Sequence, residues 1–599
     1  MLQAGQQPQA WAQQHAWRVL DTGFDALRFL RLWHAWQQDP GRPQVLHVVA
    51  LSTEVPSLAA LTAQASADLA YLTQELAPAW HGFLPGFHRL SLAQGQLQLT
   101  LCVGERQALL REQQFAADSV VLDTHSAWDR WSLKALTRCC RRGTVLTWTP
   151  TLDSTLAEQL RHNGFALDAG SARFSPHWQL KTNRDVLRTQ AAPLGSCAVV
   201  GAGLAGASVA AALARRGWQV QVLEAAQTPA AGASGLPVGL AVPHVSVDDS
   251  PRSRLSRAGL RLTLTEVRRL LHQNQDWGLS GVLERRLDSQ ARLPTHWPDA
   301  DPSLSRLAHL WPSSAWRTGL HDQPEIWHPQ GAWIKPARLV QAWLAQPGIT
   351  LRTQARVTHL QKHSAQWRLR NAEGELLANV DQVVLANAHD ALQLIEGLGP
   401  HAAWRDQLPP LQAVRGVVSW GLRDAGDELS LPPFPVNGHG SLIPAVPTDE
   451  GWAWYAGATY EAAHLPPATG AEHHLSNRDK LSTLLPAAAQ TLAPCFEAPA
   501  ARGWGNTRCV SLDRLPLVGP LEEGEHPSLW LSAAMGSRGL TFALLCAELL
   551  AARLGAEPWP IEASLARSLH ARRRRTGSPP AAPAQPTAEP AAPEPSPST

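Results

Sequence analysis

Three glycines near the middle of the chain have the spacing of a dinucleotide-binding loop. Gly201, Gly203 and Gly206 directly follow the apolar segment 197–200 and begin an alanine-rich helical segment. Gly201 permits a tight turn, Gly203 lets the backbone approach a pyrophosphate, and Gly206 lets the helix pack on the strand. Glu224 ends the next apolar strand about 20 residues later, where an acid accepts from a ribose hydroxyl. The pattern predicts a site for FAD or NAD rather than NADP.

Small residues in two later loops suit close approach of the backbone to the same ligand. Ser234 and Gly235 belong to a GASG tetrad that, on its own, is more often an ordinary loop than a ligand contact. Gly536, Ser537 and Gly539 precede a long apolar helix, whose N-terminal N–H groups would face a bound ligand. Core packing explains most other residues of that helix. These two loops are the predicted further contacts with the cofactor.

The elements around these residues predict an α/β protein with two domains. Residues 1–181 alternate amphipathic stretches with apolar runs at 45–51, 97–103, 118–123 and 143–149, which is typical of a parallel sheet. Residues 182–196 are polar and predict a linker, and residues 197–565 predict a second domain rich in strands. The Pro/Ala-rich segment 576–599 predicts a disordered tail. The preceding run Arg572–Arg575 is interpreted as the solvated end of the last helix, with contact to RNA phosphate as the alternative.

Net charge, cysteine spacing and the length of apolar runs argue against several classes of protein. The 599 residues have a formal net charge of +2, so the overall charge gives no signature of nucleic-acid binding. The seven cysteines are scattered without CxxC spacing, which argues against a disulfide framework or a metal site. No apolar run approaches the roughly 18–20 residues of a membrane span, and no signal peptide is evident. We therefore expect a cytoplasmic protein without a membrane or metal partner.

The second domain resembles a known flavoprotein family in several segments that follow one another in order. These are the glycine motif and GASG, then segments 328–344, 413–419, 457–460, 508–519 and 535–551. The likeness is to the amino-acid oxidases of the D-amino acid oxidase and glycine oxidase type. It is closer still to the C-terminal half of the MnmC family of bifunctional tRNA-modifying enzymes. It implies FAD as cofactor, a Rossmann-type domain with a mixed or antiparallel substrate-binding sheet, and oxidation of a C–N bond next to a carboxylate.

Two arginines are candidates for the catalytic site. The resemblance places Arg508 where glycine-oxidase-like enzymes bind the substrate carboxylate, and a planar guanidinium suits bidentate carboxylate recognition. Arg538 is the second candidate, either for the substrate or for the electron-rich edge of the flavin. A structural salt bridge is the alternative for each arginine. Asp513 is interpreted as a turn residue, and no general base is predicted.

The N-terminal domain resembles the MnmC methyltransferase domain at 17–36, 84–105 and 118–123 but departs from it in three loops. Gly23 and Phe24 are followed by Asp25 and lack the later glycines of the family's loop for S-adenosylmethionine. The position of the ribose-binding acid falls near Ser52, and the family's Asp-Gly-Phe-x-Pro becomes Asp123 followed by Thr124 and His125. We expect the fold to be retained and methyl transfer to be absent or weak. A rearranged but working site is the alternative.

The resemblance as a whole implies an FAD-dependent oxidoreductase acting on the wobble uridine of tRNA. The expected reaction removes the carboxymethyl group of 5-carboxymethylaminomethyl-(2-thio)uridine and yields 5-aminomethyl-(2-thio)uridine. One alternative is the full bifunctional enzyme, which also methylates this product with S-adenosylmethionine. Another is an oxidase of free glycine-like amines, which the neutral charge balance favours. A third is a tRNA-binding scaffold with a vestigial flavin site, against which the intact glycine motif and Arg508 count.

Overall fold

The structure is a computed structural model that describes most of the chain. The described residues are 10–149, 151–180, 191–286, 291–298, 301–308, 314–320, 325–399, 407–423, 431–466, 468–497, 501–522 and 527–573. Residues 182–190 of the predicted linker and the predicted tail at 576–599 lie outside them.

The N-terminal region is built on a mixed sheet with a parallel centre. Its described strands are β1 (Ala16–Asp21), β2 (Val45–Ser52), β3 (Gly86–Leu92), β4 (Leu97–Val103), β5 (Ala117–Asp123), β6 (Cys140–Thr149), β7 (Phe165–Asp168) and β8 (Ser171–Phe174). Its described helices are α1 (Ala26–Gln38), α2 (Leu58–Gln64), α3 (Ala70–Leu76), α4 (Arg106–Arg111), α5 (Arg130–Arg138) and α6 (Ser154–His162). The strand order is β3-β4-β2-β1-β5-β6-β8-β7. The strands predicted from the apolar runs are all present.

The parallel centre explains why these strands are apolar along their whole length. Helices that connect parallel strands cover both faces of the sheet, so both faces are buried. Leu20 of β1 lies beside Val49 of β2 and Val120 of β5, and all three residues are buried. The carboxyl ends of parallel strands share one edge, so the three loops that depart from the methyltransferase pattern meet at that edge.

The second region begins with a strand, a glycine turn and a helix, as predicted. Its described strands are β9 (Ser196–Val200), β10 (Gln219–Leu223), β11 (Gly239–Ala241), β12 (Trp277–Gly278), β13 (Val282–Glu284), β14 (Arg306–Ala308), β15 (Glu325–His328), β16 (Ala332–Ile334), β17 (Ile349–Arg352), β18 (His359–His363), β19 (Gln366–Arg370), β20 (Leu376–Val380), β21 (Gln382–Leu385), β22 (Leu411–Leu422), β23 (Val436–Gly438), β24 (Gly440–Thr448), β25 (Gly451–Gly457), β26 (Glu461–Ala462), β27 (Arg502–Ser511), β28 (Leu517–Pro520) and β29 (Leu529–Ala533). Its described helices are α7 (Leu204–Ala214), α8 (Pro251–Leu270), α9 (Pro336–Leu344), α10 (Ala391–Glu396), α11 (Gly470–Leu484), α12 (Pro486–Leu492), α13 (Gly539–Leu554) and α14 (Ala563–Ser568).

Two large sheets contain fifteen of these described strands, and the other six form the three-stranded sheets β11-β16-β12 and β18-β19-β20. The six-stranded sheet has the order β17-β10-β9-β21-β29-β28 and is parallel except for the last pair. The nine-stranded sheet runs β14-β15-β13-β23-β24-β25-β22-β26, with β27 also paired to β22, and is antiparallel except for the pair β13–β23. The predicted combination of a Rossmann-type sheet and a mixed substrate-binding sheet is confirmed.

Helix α13 is buried along its whole length and forms the core of the second region. Every residue from Leu540 to Leu554 is buried, which is the pattern of a helix surrounded by protein on all sides. The predicted loop and apolar helix at 529–554 are therefore confirmed, and core packing explains the composition of this helix.

The segment that follows α13 joins the two regions. Arg18 of β1 donates from Nε and Nη2 to the carbonyl oxygens of Ala556 and Gly555, both at 2.9 Å. The Phe87 N–H donates to Glu562 Oε1 at 3.1 Å. Cations at the carboxyl end of a helix also interact favourably with its unpaired carbonyls. The N-terminal region is thus fastened to the end of α13.

One expectation about the C-terminus was wrong. Helix α14 ends at Ser568, so Arg572 and Arg573, the described residues of the arginine run, lie beyond its end. Arg573 instead binds Asp513 through Nη2 at 2.6 Å, and Asp513 Oδ1 also accepts the Leu515 N–H at 3.0 Å. Asp513 therefore organises its turn, as predicted, and the ion pair anchors the chain after α14. Within the described segments, no helix has both the length and the apolar character required to cross a bilayer.

Candidate active site

A cavity of about 1250 Å³ lies between the six-stranded and nine-stranded sheets. Loops of the parallel sheet contribute Gly201 and Glu224 to its wall, and the antiparallel sheet contributes Tyr455 and Arg508. Sites for small molecules typically measure about 300–1,000 Å³, so this cavity has room for an extended dinucleotide and a substrate.

The glycine loop after β9 has the geometry that its spacing predicts. Gly201 has a φ of +101°, which side-chain-bearing residues rarely adopt. A Cβ at Gly206 would lie 1.8 Å from the Gly201 carbonyl oxygen, so helix α7 can pack on its own loop only with glycine there. Gly201 and Gly203 line the cavity, as does Leu204, where α7 begins. Helix α7 therefore begins at the cavity wall.

Glu224 follows β10 directly and lines the same cavity. Its Oε2 accepts the Ala202 N–H at 2.7 Å, and its Oε1 accepts the Ala226 N–H at 2.9 Å. These bonds fix the carboxylate in place. A carboxylate has about four acceptor positions, so Glu224 retains the capacity to accept from a ribose hydroxyl.

Three residues of the GASG tetrad, Gly232, Ala233 and Ser234, line the cavity, and the fourth is a turn residue. Ser234 lines the cavity, and its Oγ accepts the Leu204 N–H at 2.9 Å, at the start of α7. Gly235 does not line the cavity. A Cβ there would lie 2.5 Å from the Ala230 carbonyl oxygen, so this glycine serves the turn.

The loop before α13 also reaches the cavity, close to the start of α7. Gly536, Ser537 and Gly539 all line it, and Gly536 has a φ of +59°. A Cβ at Gly539 would lie 3.1 Å from Leu204 Cδ1, which shows how closely the starts of α13 and α7 approach each other. Two helix N-termini and a ribose-binding acid around one cavity fit the pyrophosphate and ribose of FAD.

Replacing Gly203 with alanine is expected to weaken FAD binding by about tenfold or more, because the new methyl group would occupy the face that approaches the pyrophosphate. The Cβ would also lie 2.9 Å from Ser234 Oγ. Titration of the apoprotein with FAD, followed by flavin fluorescence, measures the dissociation constant. Gly470→Ala is the matched control because a Cβ there meets no atom within 4 Å. Equal affinities in the two variants would contradict the role of Gly203.

Arg508 lies on β27 with its guanidinium over Gly416 of the neighbouring strand. A Cβ at Gly416 would lie 2.1 Å from Arg508 Nη2, so glycine is required beneath this side chain. Nη2 donates to the Thr459 carbonyl oxygen at 3.0 Å, and within the described part of the chain no carboxylate forms an ion pair with Arg508. Burial lowers the pKa of Arg508 below its ordinary value. A cation facing the cavity without a counterion is suited to an anionic substrate group.

Arg538 also lines the cavity, but it lies directly before α13, whereas Arg508 lies on β27. Its Nη1 donates to the Val242 carbonyl oxygen at 3.3 Å, across the start of α13. Burial lowers the pKa of Arg538, while the nearby Glu284 carboxylate raises it and Arg252 lowers it. Arg538 thus belongs to the loop that is predicted to contact the cofactor, which favours the flavin over the substrate as the partner of Arg538.

The structure adds Lys480 and Tyr455 to the cavity wall, neither of which the sequence indicated. Lys480 donates from Nζ to the Ala458 carbonyl oxygen at 2.8 Å, and burial together with Arg508 lowers its pKa. Tyr455 is buried and stacks on Trp420 with 5.8 Å between ring centroids. Both lie in segments without a distinguishing motif, so only the fold brings them to the site.

The three loops that depart from the methyltransferase pattern meet at one edge of the N-terminal sheet, and side chains at this edge bind one another. Arg28 of α1 donates to both carboxylate oxygens of Asp21 at 2.8 Å and to the Gly23 carbonyl oxygen. Asp25, which stands where the family's glycine loop continues, caps α1 by accepting the Arg28 N–H. A Cβ at Gly23 would lie 2.4 Å from Asp123 Cβ, so β1 and β5 close tightly on each other at this edge.

The chain is similar in sequence to known proteins over most of its length. Residues 196–553 match the family described as FAD dependent oxidoreductase (DAO). A protein of Albidiferax ferrireducens named "tRNA 5-methylaminomethyl-2-thiouridine biosynthesis bifunctional protein MnmC" is 47% identical over 94% of this chain and 94% of its own. The protein of that name from Polaromonas naphthalenivorans is 45% identical over 93% of this chain and 90% of its own. The solved glycine oxidase of Geobacillus kaustophilus is 19% identical with a TM-score of 0.49, over 64% of this chain and 99% of its own.

Proposed function

The chain belongs to the family of MnmC proteins with an FAD-dependent oxidoreductase domain, and on that premise we propose that it removes the carboxymethyl group from 5-carboxymethylaminomethyl-(2-thio)uridine at the wobble position of tRNA. The observation that supports this most directly is Arg508, a partly buried cation that faces the FAD cavity without a carboxylate partner among the described residues. A tRNA substrate places the reaction in the cytoplasm.

The substrate's side arm is in effect an N-substituted glycine, with its reacting C–H between the amine and the carboxylate. FAD held by the glycine loop and Glu224 would supply the hydride acceptor for this carbon, and hydrolysis of the resulting C=N bond would release glyoxylate and leave the aminomethyl base. Arg508 binds the carboxylate through its planar fork and thereby orients the C–H bond. Lys480 adds a second positive charge to the same wall and strengthens the attraction for an anionic arm.

We assign the N-terminal region a structural rather than a methyl-transferring role. The Arg28–Asp21 pair and the capping role of Asp25 occupy the groups that would otherwise approach S-adenosylmethionine. Asp123, which ends β5, accepts from the His125 N–H and from Ser126 Oγ within its own loop. The full bifunctional activity is the second candidate, because proteins named bifunctional are 47% and 45% identical to this chain over 94% and 90% of their own lengths.

Nucleoside mass spectrometry of tRNA containing 5-carboxymethylaminomethyl-uridine distinguishes these functions. After incubation with the FAD-loaded protein, we expect 5-aminomethyl-uridine both with and without S-adenosylmethionine. Methylaminomethyl-uridine that appears only with S-adenosylmethionine would establish the bifunctional enzyme and contradict the structural role. Unchanged tRNA in both samples would overturn the tRNA assignment and favour free glycine-like amines as substrates.

A further inference from the structure

An aromatic ring stands exposed at the wall of the flavin cavity, next to Arg508. Tyr460 lines the cavity, yet 58% of it is exposed. Its hydroxyl makes no hydrogen bond with any residue in the described part of the chain, whereas the hydroxyl of the exposed Tyr71 donates to Gln37 at 2.7 Å. Neither core packing nor a hydrogen bond explains the position of this ring.

The backbone that presents Tyr460 is held firmly. Thr459, the preceding residue, donates its N–H to the Val417 carbonyl oxygen at 3.0 Å, and its Oγ1 accepts the Val417 N–H at 2.9 Å. The Thr459 carbonyl oxygen accepts the hydrogen bond from Arg508 Nη2. The same short segment therefore positions both the ring and the guanidinium.

The ring and the cation are close enough to contact one substrate. The Arg508 guanidinium carbon lies 5.5 Å from the centroid of the Tyr460 ring. In the proposed substrate, four bonds of about 1.5 Å separate the carboxylate carbon from C5 of the uracil, which gives an extended span of about 5 Å. One end of this arm therefore reaches Arg508 while the base at its other end lies beside the ring.

We propose that Tyr460 is the stacking platform for the uracil base whose side arm Arg508 binds. The inference rests on the proposed function and adds to it a base-binding subsite that selects nucleosides. The guanidinium covers one face of the ring, and the exposed ring surface is available to a base. Bases stack on aromatic side chains in nucleic-acid complexes, and alanine substitution of such platforms costs about ten- to a hundredfold in affinity. A free glycine-like amine has no base and gains nothing from the platform.

The experiment compares Tyr460→Ala, Tyr460→Phe and Tyr71→Ala in the FAD-loaded full chain. The first readout is kcat/KM for an anticodon stem-loop with the carboxymethylaminomethyl base. The second is the inhibition constant of N-methylglycine, which has a shortened arm and no base, against that reaction. We expect Tyr460→Ala to lose about ten- to a hundredfold in kcat/KM with a much smaller change in the inhibition constant, and Tyr460→Phe to recover most of the loss. Tyr71→Ala is the matched control for an exposed tyrosine outside the cavity.

Two results would overturn the proposal that Tyr460 is the stacking platform for the base. An unchanged kcat/KM in Tyr460→Ala would show that the base does not use the ring. Equal losses in kcat/KM and in N-methylglycine binding would show that the substitution merely disturbs Arg508. A failure of the proposed function itself gives a different result, since the unsubstituted protein would then not oxidise the modified stem-loop.

Discussion

Arg508→Ala is expected to lower kcat/KM for the carboxymethylated tRNA by roughly 30- to 1,000-fold, equivalent to about 2–4 kcal/mol of transition-state stabilisation. The substrate carboxylate would enter a partly buried site without its cation and would lose both charge compensation and orientation. Steady-state kinetics with the modified anticodon stem-loop provide the measurement. Arg508 contacts Thr459 and no described carboxylate, so its removal leaves no described acid unpaired.

Matched arginine variants separate the specific effect from a general one. Arg502→Ala is the control because Arg502 lies on the same strand, is exposed and pairs with Glu450 at 3.0 Å. Its activity should remain near that of the unsubstituted protein. Arg508→Lys should fall between the two, since lysine keeps the charge but lacks the planar fork. Full activity in the Arg508→Ala variant would show that Arg508 does not bind the substrate carboxylate and has a structural role instead.

The second large effect concerns a buried ion network between the two regions. Arg216 binds Glu548 Oε2 at 2.8 Å and Glu557 Oε2 at 2.9 Å, and all three side chains are buried. His47 of β2 lies 3.5 Å from the Glu557 carboxylate, across the contact between the regions. Arg216→Ala is expected to lower the free energy of unfolding by about 3–5 kcal/mol, because two buried carboxylates would lose their shared cation. Urea denaturation followed by tryptophan fluorescence measures the change.

The exposed pair Arg352–Glu375 provides the control for this network. Arg352 Nη2 lies 2.6 Å from Glu375 Oε1, but 41% of the Arg352 side chain and 55% of the Glu375 side chain are exposed. Arg352→Ala should therefore cost less than about 1 kcal/mol. If Arg216→Ala and Arg352→Ala changed stability equally, the buried network would not hold the two regions together.

The network also predicts how stability depends on pH. Burial raises the pKa of Glu548, but Arg216 and Arg215 outweigh it and bring the pKa from an ordinary 4.5 to about 2. The unfolded chain then binds more protons than the folded chain between these values. This stabilisation is complete above about pH 4.5 and is lost as the pH falls towards 2. Without Arg216, the acid-induced loss of stability should be smaller over that range.

Local sequence patterns determined the cofactor half of the site. The spacing of Gly201, Gly203 and Gly206 between an apolar strand and a helix corresponds to one compact structural unit, and the structure reproduces it. Glu224 was identifiable for the same reason, because the residue after β10 necessarily lies at the carboxyl edge of the parallel sheet. The strands of the N-terminal sheet were likewise predictable, since burial on both faces makes such strands continuously apolar.

The tertiary structure alone decided the substrate half and the contact between the regions. Lys480, Tyr455 and Tyr460 reach the cavity wall from two different parts of the chain. Tyr460 ends one of the segments that resemble the flavoprotein family, but no local pattern distinguishes Lys480 and Tyr455 from surface or core residues. The pairing of Arg216 with Glu557, 341 positions later, is equally absent from any local signal. A charged or aromatic side chain acquires its function from what surrounds it, and those surroundings exist only once distant strands and helices pack together.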